Sequence, residues 1–189
     1  MVTPARHRRL DSDSADIATQ ALRFLARHAG PEAVEEFARE RFAELEARYG
    51  SRIADAGGEI NGKKIEVVSA DHQNKADVAS ARAREWFDQQ KVDMIIGGTN
   101  SATSLAMAAV AAEKKKPFMA VGAGSSDLTN AQCSPYTVHY AYDTVALARG
   151  TGSAVVKNGG KSWFFLTADY AFGHALERDT SEVVKAAGG

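Results

Sequence analysis

The sequence predicts an α/β protein: a parallel sheet with helices on both faces, preceded by a helical hairpin. Three observations predict it. From about residue 57 onward, short β-branched or aromatic runs alternate with stretches of helical period. Those runs end in glycine-rich turns that lead into helix-capping residues. Before residue 50 only the three-and-four spacing of helices is present.

Taken in order, Ile17, Ala21, Phe24 and Leu25 share one helix face, with Asp13 or Ser14 able to cap its start. Gly30-Pro31 ends that helix and begins another, since glycine suits the position past a helix end and proline the first turn. Val34, Phe37, Ala38, Phe42, Leu45 and Tyr49 form the apolar stripe of the second helix. Residues 64–70 (KIEVVSA) then read as a strand, and Asp77 as the cap of a helix to Gln90. Residues 92–96 (VDMII) read as the next strand, and Asn100 or Ser101 caps a helix to about Glu113. Lys114, Lys115 and Lys116 sit where a helix C-terminus welcomes positive charge, so the lysine run reads as a solvated helix end. Residues 117–121 (PFMAV) form a third strand, and 137–142 are extended. A helix over 144–157, a strand over 162–167 (SWFFLT) and a helix from about His174 to Ala187 complete the alternation.

Composition excludes several functions. The chain has 189 residues, 44% of them hydrophobic, enough for a proper core, and its formal charge of -1 lacks the basic footprint of a nucleic-acid binder. Cys133 is the single cysteine, which rules out an intrachain disulfide framework or a cysteine-rich zinc site. Arg6, Arg8 and Arg9 are followed by polar residues rather than by the apolar run of a signal peptide, so the chain as written reads as cytoplasmic. No window has the length of apolar sequence that crosses a bilayer.

In an open parallel sheet, ligands sit beyond the carboxyl ends of the strands, where loops enter helices and amides are free. Two loops have the composition for this, 97–101 (GGTNS) and 122–127 (GAGSSD). Small residues let backbone approach a ligand, and hydroxyl and amide groups supply donors, so a carboxylate is the natural guest. Each loop alone is equally readable as a tight strand-to-helix turn. Both lack the lysine and hydroxyl of a phosphate-binding loop and the spacing of a dinucleotide fingerprint. Catalysis has no support: no serine sits in a nucleophile elbow, and His72, His139 and His174 are isolated in sequence from one another and from carboxylate pairs. The expectation is no catalytic residue, no metal and no cofactor. Residues 169–173 (DYAFG) follow a strand and precede a helix, which places two aromatic rings at a strand end.

INGKKIEVVSADHQNKADVASARAREW, DMIIGGTNSATSLAMAAVAAEKKKPFMAVGAGSSDLTN, SPYTVHYAYDT and KSWFFLTADYAFGHALERD occur in order. Together they resemble the periplasmic branched-chain amino acid (leucine, isoleucine, valine) binding proteins, receptors of ABC importers with the type I periplasmic binding fold. The resemblance is continuous from about Gly57 to Gly189. It implies two lobes joined by a hinge, a solute held between them and delivery of the closed form to a membrane permease. Carried over by position, it nominates Asn100, Ser101, Ala123, Gly124, Ser125 and Ser126 as a carboxylate grip, with Tyr170 and Phe172 closing from the second lobe. Residues 137–143 would be the first hinge crossing. It further implies a division into an unrelated hairpin over 1–56, a first lobe over 57–143 without its usual first strand, and the truncated start of a second lobe over 144–189.

The resemblance implies a periplasmic site of action and a small amino acid, amide or related carboxylate as solute. A shortened second lobe implies weakened binding and self-association through exposed edges. Two other readings fit the same residues: the effector-sensing domain of a cytoplasmic transcriptional regulator, and an inactive gene remnant.

Overall fold

The computed structural model describes residue 51 and residues 53–189; the hairpin expected over 14–49 lies outside them. The chain divides into two compact units, Met1–Ser69 and Ala70–Gly189.

In the first unit, β1 (Glu59–Ile60) pairs antiparallel with β2 (Lys63–Lys64). Asn61 and Gly62 between them have φ of 52° and 74°. Two positive φ values in a two-residue loop match the twist of a hairpin, and Asn-Gly is the dipeptide that adopts them most readily. The strand expected over 64–70 is therefore reduced to its first residue. Residues 65–70 join no ladder among the described residues, and Val67 and Val68 remain nearly half exposed. Their β-branched side chains favour extension, but extension becomes a strand only when a neighbour accepts its hydrogen bonds.

The second unit is a parallel sheet with helices. Its strands β3 (Ile95–Gly97), β4 (Phe118–Ala120) and β5 (Thr137–His139) lie in that order, with Ile95 opposite Phe118 and Phe118 opposite Thr137. Helix α1 (Ala76–Asp88) precedes β3, and α2 (Ser101–Lys114) connects β3 to β4. Ala79, Ala83 and Phe87 of α1 share one core with Met107, Ala108, Val110 and Ala111 of α2, Ile95 of β3 and Phe118 and Ala120 of β4. The alanines let the two helices approach closely, while Phe118 fills the space under α2. On the opposite face of the strands Ile96 and Val138 are 54% and 53% exposed.

The ends of these elements follow local chemistry. Lys75, not Asp77, is the N-cap of α1, and no side chain caps it; Asp77 sits in the first turn, where its charge meets the helix dipole. Asn100 caps α2, its side chain accepting from the Thr103 amide at 2.9 Å. The lysine run ends α2 as its position implies: Lys114 pairs with Asp88 at 2.7 Å, Lys115 is the left-handed cap, and Lys116 reaches Asp93 at 3.2 Å.

After β5 the helix expected over 144–157 is interrupted. Helix α3 (Thr144–Leu147), capped by Asp143, passes into a π turn over Ala148–Gly152 before α4 (Ser153–Lys157). At Gly152 an added methyl would lie 3.5–3.7 Å from Val183, Val184 and Thr180, so the glycine lets helix α5 (Ala171–Ala186) lie close. The strand expected over 162–167 joins no ladder among the described residues, and Phe164 and Leu166 are 91% and 96% exposed. The reason is that of 65–70: a run apolar on both faces suits a central strand, and none of the described strands flanks it. Helix α5 begins three residues earlier than expected, with Tyr170 as its N-cap. No described helix is long and apolar enough to cross a membrane.

Candidate functional site

Strands β3 and β4 are neighbours and parallel, so the turns at their carboxyl ends emerge side by side. Thr99, Asn100 and Ser101 after β3, and Gly122, Ala123 and Gly124 after β4, line one depression of about 70 Å³ together with Tyr142, Tyr170 and Phe172. Close approach requires the glycines. A methyl on Gly122 would lie 3.1 Å from the Gly98 carbonyl, and one on Gly124 would lie 2.8 Å from both the Phe172 and Tyr142 rings. Gly98 itself has φ +82°, and a methyl there would fall 2.0 Å from Ser104 Oγ.

The second turn is pinned on every side except the one facing the depression. The Ala123 carbonyl accepts from His139 Nε2 at 2.6 Å, which fixes the Nε2–H tautomer. The Gly124 carbonyl accepts from the Thr144 amide at 2.8 Å. The Ser125 amide donates to Ser101 Oγ at 3.1 Å, so the two turns are tied together directly. The Ser126 amide donates to Thr144 Oγ1 at 3.0 Å. The amides of Ala123 and Gly124, and those of Ser101 and Ala102 in the first turn of α2, have no acceptor among the described residues. Ser101, Ala123 and Gly124 line the depression and Ala102 adjoins it in sequence; free N–H groups at a helix start and a neighbouring turn suit a small anion. The rings opposite supply an apolar wall: Tyr170 and Phe172 stand 6.0 Å apart at an interplanar angle of 33°.

Of the residues nominated from sequence, the structure brings Asn100, Ser101, Ala123, Gly124, Tyr170 and Phe172 to this depression. Ser125 and Ser126 lie behind it, 0% and 3% exposed. Ser125 Oγ caps the short 3-10 turn over Ser126–Leu128, accepting from the Asp127 amide, and Ser126 Oγ donates to Asp179 Oδ2 at 2.7 Å. Thr99 and Gly122, which also line the depression, fall inside the two loops chosen from composition but were not nominated individually, and Tyr142 was missed as a lining residue. Tyr142 was legible only as part of an extended segment after β5. Sequence reasoning also missed Asn74, whose side-chain oxygen accepts from Asn100 Nδ2 at 3.1 Å and so orients that cap.

Behind the depression lies a buried polar cluster. Asp179 of α5 accepts from Ser126 Oγ and from Thr144 Oγ1 at 2.5 Å, and its other oxygen accepts from Arg178 Nε at 3.0 Å. Arg178 also pairs with Asp127 at 3.1 Å and donates to Ser126 Oγ at 3.0 Å. Burial works against the Asp179 charge, but the Thr144 and Ser126 hydroxyls and the Arg178 guanidinium outweigh it and hold its pKa below the ordinary carboxylate value. The two carboxylates raise the pKa of Arg178 in turn, against the cost of its own desolvation.

His72, His139 and His174 each have another task. His72 Nδ1 accepts from the Asn74 amide at 3.0 Å, and His174 Nε2 sits 3.0 Å from Asp169. Among the described residues no group of three or more His, Cys, Asp or Glu could hold a metal ion.

A parallel sheet whose adjacent strand ends carry amide-lined turns beneath aromatic rings has the layout of an α/β ligand-binding fold. Comparison gives that class a family. The family model described as periplasmic binding protein matches residues 47–189, and the chain belongs to that family, one of solute-binding proteins. A periplasmic binding protein from Burkholderia mallei is 69% identical with a TM-score of 0.70, the match covering 72% of this chain and 36% of that one. A solute-binding protein of an ABC transporter from Rhodopseudomonas palustris BisB5, solved with 3,4-dihydroxybenzoic acid, is 33% identical with a TM-score of 0.63, over 72% of this chain and 37% of that one. A branched-chain amino acid ABC transporter periplasmic ligand-binding protein from Burkholderia xenovorans LB400 is 34% identical with a TM-score of 0.60, with the same coverage. The matched part of this chain thus spans little more than a third of these relatives' length. No curated protein matches it.

Proposed function

We propose that the chain is a solute-binding component of an ABC importer, acting in the periplasm without catalysis, whose ligand is a small carboxylate such as an amino acid or an aromatic acid. The observation that carries this reading is the convergence of unpaired amides from two adjacent strand ends on one depression walled by Tyr142, Tyr170 and Phe172. Residues 57–143 then belong to the first lobe and 144–189 to the start of the second, with 137–143 as the hinge crossing between them. Ser101, Ala123 and Gly124 grip the carboxylate through their amides and the Ser101 hydroxyl, Asn100 lines the site as the cap of α2, and Tyr170 and Phe172 cover the solute. Ser125 and Ser126 support the turn from behind. The reading is supported by two relatives above 30% identity that are ligand-binding proteins of ABC transporters, one holding a dihydroxybenzoate.

A depression of about 70 Å³ is far smaller than the ~300–1,000 Å³ of a complete small-molecule pocket. Binding by this chain is accordingly weak. Calorimetry with leucine, valine, glutamine and 3,4-dihydroxybenzoate should show no micromolar affinity for any of them; a micromolar dissociation constant would contradict this. The permease is the partner this reading implies, and exposed Phe164 and Leu166 make self-association expected as well.

A further inference from the structure

The buried cluster around Asp179 joins parts of the chain that the receptor reading assigns to different lobes. Ser126 and Asp127 belong to the turn after β4, on the first-lobe side. Thr144 opens α3, just past the hinge crossing, and Arg178 and Asp179 lie on α5, which carries Phe172 in its first turn and Tyr170 as its cap. Helix α5 therefore touches the ligand turn at two places. Phe172 packs on Gly124 at one of them. Asp179, seven residues on and about 10 Å along the axis, takes the Ser126 hydroxyl at the other.

We infer that Asp179 and Arg178 are positioning residues: they fasten α5 across the ligand turn and so hold the aromatic wall in its closed arrangement over the depression. This rests on the proposed lobe assignment. The chemistry of the cluster suits the task. Both Asp179 oxygens are occupied, one by two hydroxyl donors from opposite sides of the hinge and one by Arg178, whose guanidinium also reaches Asp127 and Ser126. Ser126, Thr144 and Asp179 are 3%, 0% and 5% exposed, so separating the turn from the helix would strand buried polar groups until water entered. A purely apolar contact would make closure tight but indifferent to the helix's position along its axis. Charge-assisted bonds at fixed positions set the register of α5 on the turn, and with it the place of Tyr170 and Phe172.

The test places spin labels on Cys133, which is exposed, and on Glu182→Cys at the exposed side of α5, and measures the distance between them by electron spin resonance. The otherwise unchanged chain should give one narrow distance. Asp179→Ala and Arg178→Ala should each widen it, with a roughly tenfold rise in the population at longer distances, while the far-ultraviolet signature of the helices is retained. Asp179→Asn, which keeps one accepting oxygen, should restore most of the narrow distance. A parent-like distance in Asp179→Ala would overturn the inference. If Asp179→Ala does not fold, Arg178→Ala decides in its place, because it removes the guanidinium that reaches Asp179, Asp127 and Ser126 while leaving both hydroxyl bonds to Asp179: a widened distance supports the fastening, an unchanged one refutes it. No solute enters this measurement, so its failure is separable from failure of the receptor reading, which is judged by ligand titration.

Discussion

Replacing Gly173 by alanine is the sharpest steric test of how the aromatic wall is held. Gly173 is buried in the first turn of α5, and a methyl there would lie 2.0 Å from the Ala168 carbonyl oxygen, 3.0 Å from its carbon and 3.2 Å from its nitrogen. An ordinary carbon–oxygen contact is about 3.3 Å, so roughly 1.3 Å must be gained. The obstructing atoms are backbone and cannot rotate aside, so residues 168–170 must move and Tyr170 with them. Overpacking of this kind costs about 3 kcal/mol, and alanine's better helix propensity returns at most ~1. A net loss of about 2 kcal/mol at a urea slope of ~1.5 kcal/mol per molar lowers the unfolding midpoint by roughly 1.3 M. The assay is urea unfolding followed by circular dichroism, with Gly150→Ala as its counterpart. Gly150 lies in the π turn and an added methyl meets nothing within 4 Å, so that variant should gain about 0.5 kcal/mol. A Gly173→Ala midpoint equal to that of the parent would refute the packing argument.

Asp179→Ala leaves the Ser126 and Thr144 hydroxyls without their acceptor and should destabilise by about 3 kcal/mol in urea unfolding; Asp179→Asn should lose about 1. Because the folded Asp179 pKa lies below its ordinary 3.8, its contribution is fully present above that value and is lost as pH falls through the folded pKa. The midpoint should therefore drop on acidification below about pH 4, less steeply in Asp179→Asn, with Arg178 staying charged throughout. Asn100→Ala removes the acceptor for the Thr103 amide and should cost about 1 kcal/mol, measured the same way.

Much of the site was legible because its signals are local. A capping residue and small residues at a strand end report on their own turn, and 97–101 and 122–124 meet because their strands are adjacent and parallel. What local composition hides is partnership. Residues 65–70 and 162–167 carry strong β-formers, yet the described chain offers them no neighbouring strand, and Leu166 stands in solvent. Ser125 and Ser126 have the residue type of ligand donors, but the 3-10 turn after Gly124 rotates them behind the depression, where Asp179 takes the Ser126 hydroxyl. No spacing rule connects residue 126 with residue 179. The Asn-Gly hairpin at 61–62 was a missed local signal, and it redirects the chain just where a strand was expected to begin.

The central claim is that two strand-end turns present their amides to one carboxylate. Its most direct measurement is a two-dimensional amide nuclear magnetic resonance titration with 3,4-dihydroxybenzoate and, separately, leucine, raised into the millimolar range. Saturable shifts concentrated on Ser101, Ala102, Ala123 and Gly124 are the predicted result for at least one of them. Shifts that spare both turns, or that scatter over the sheet without saturating, would contradict it.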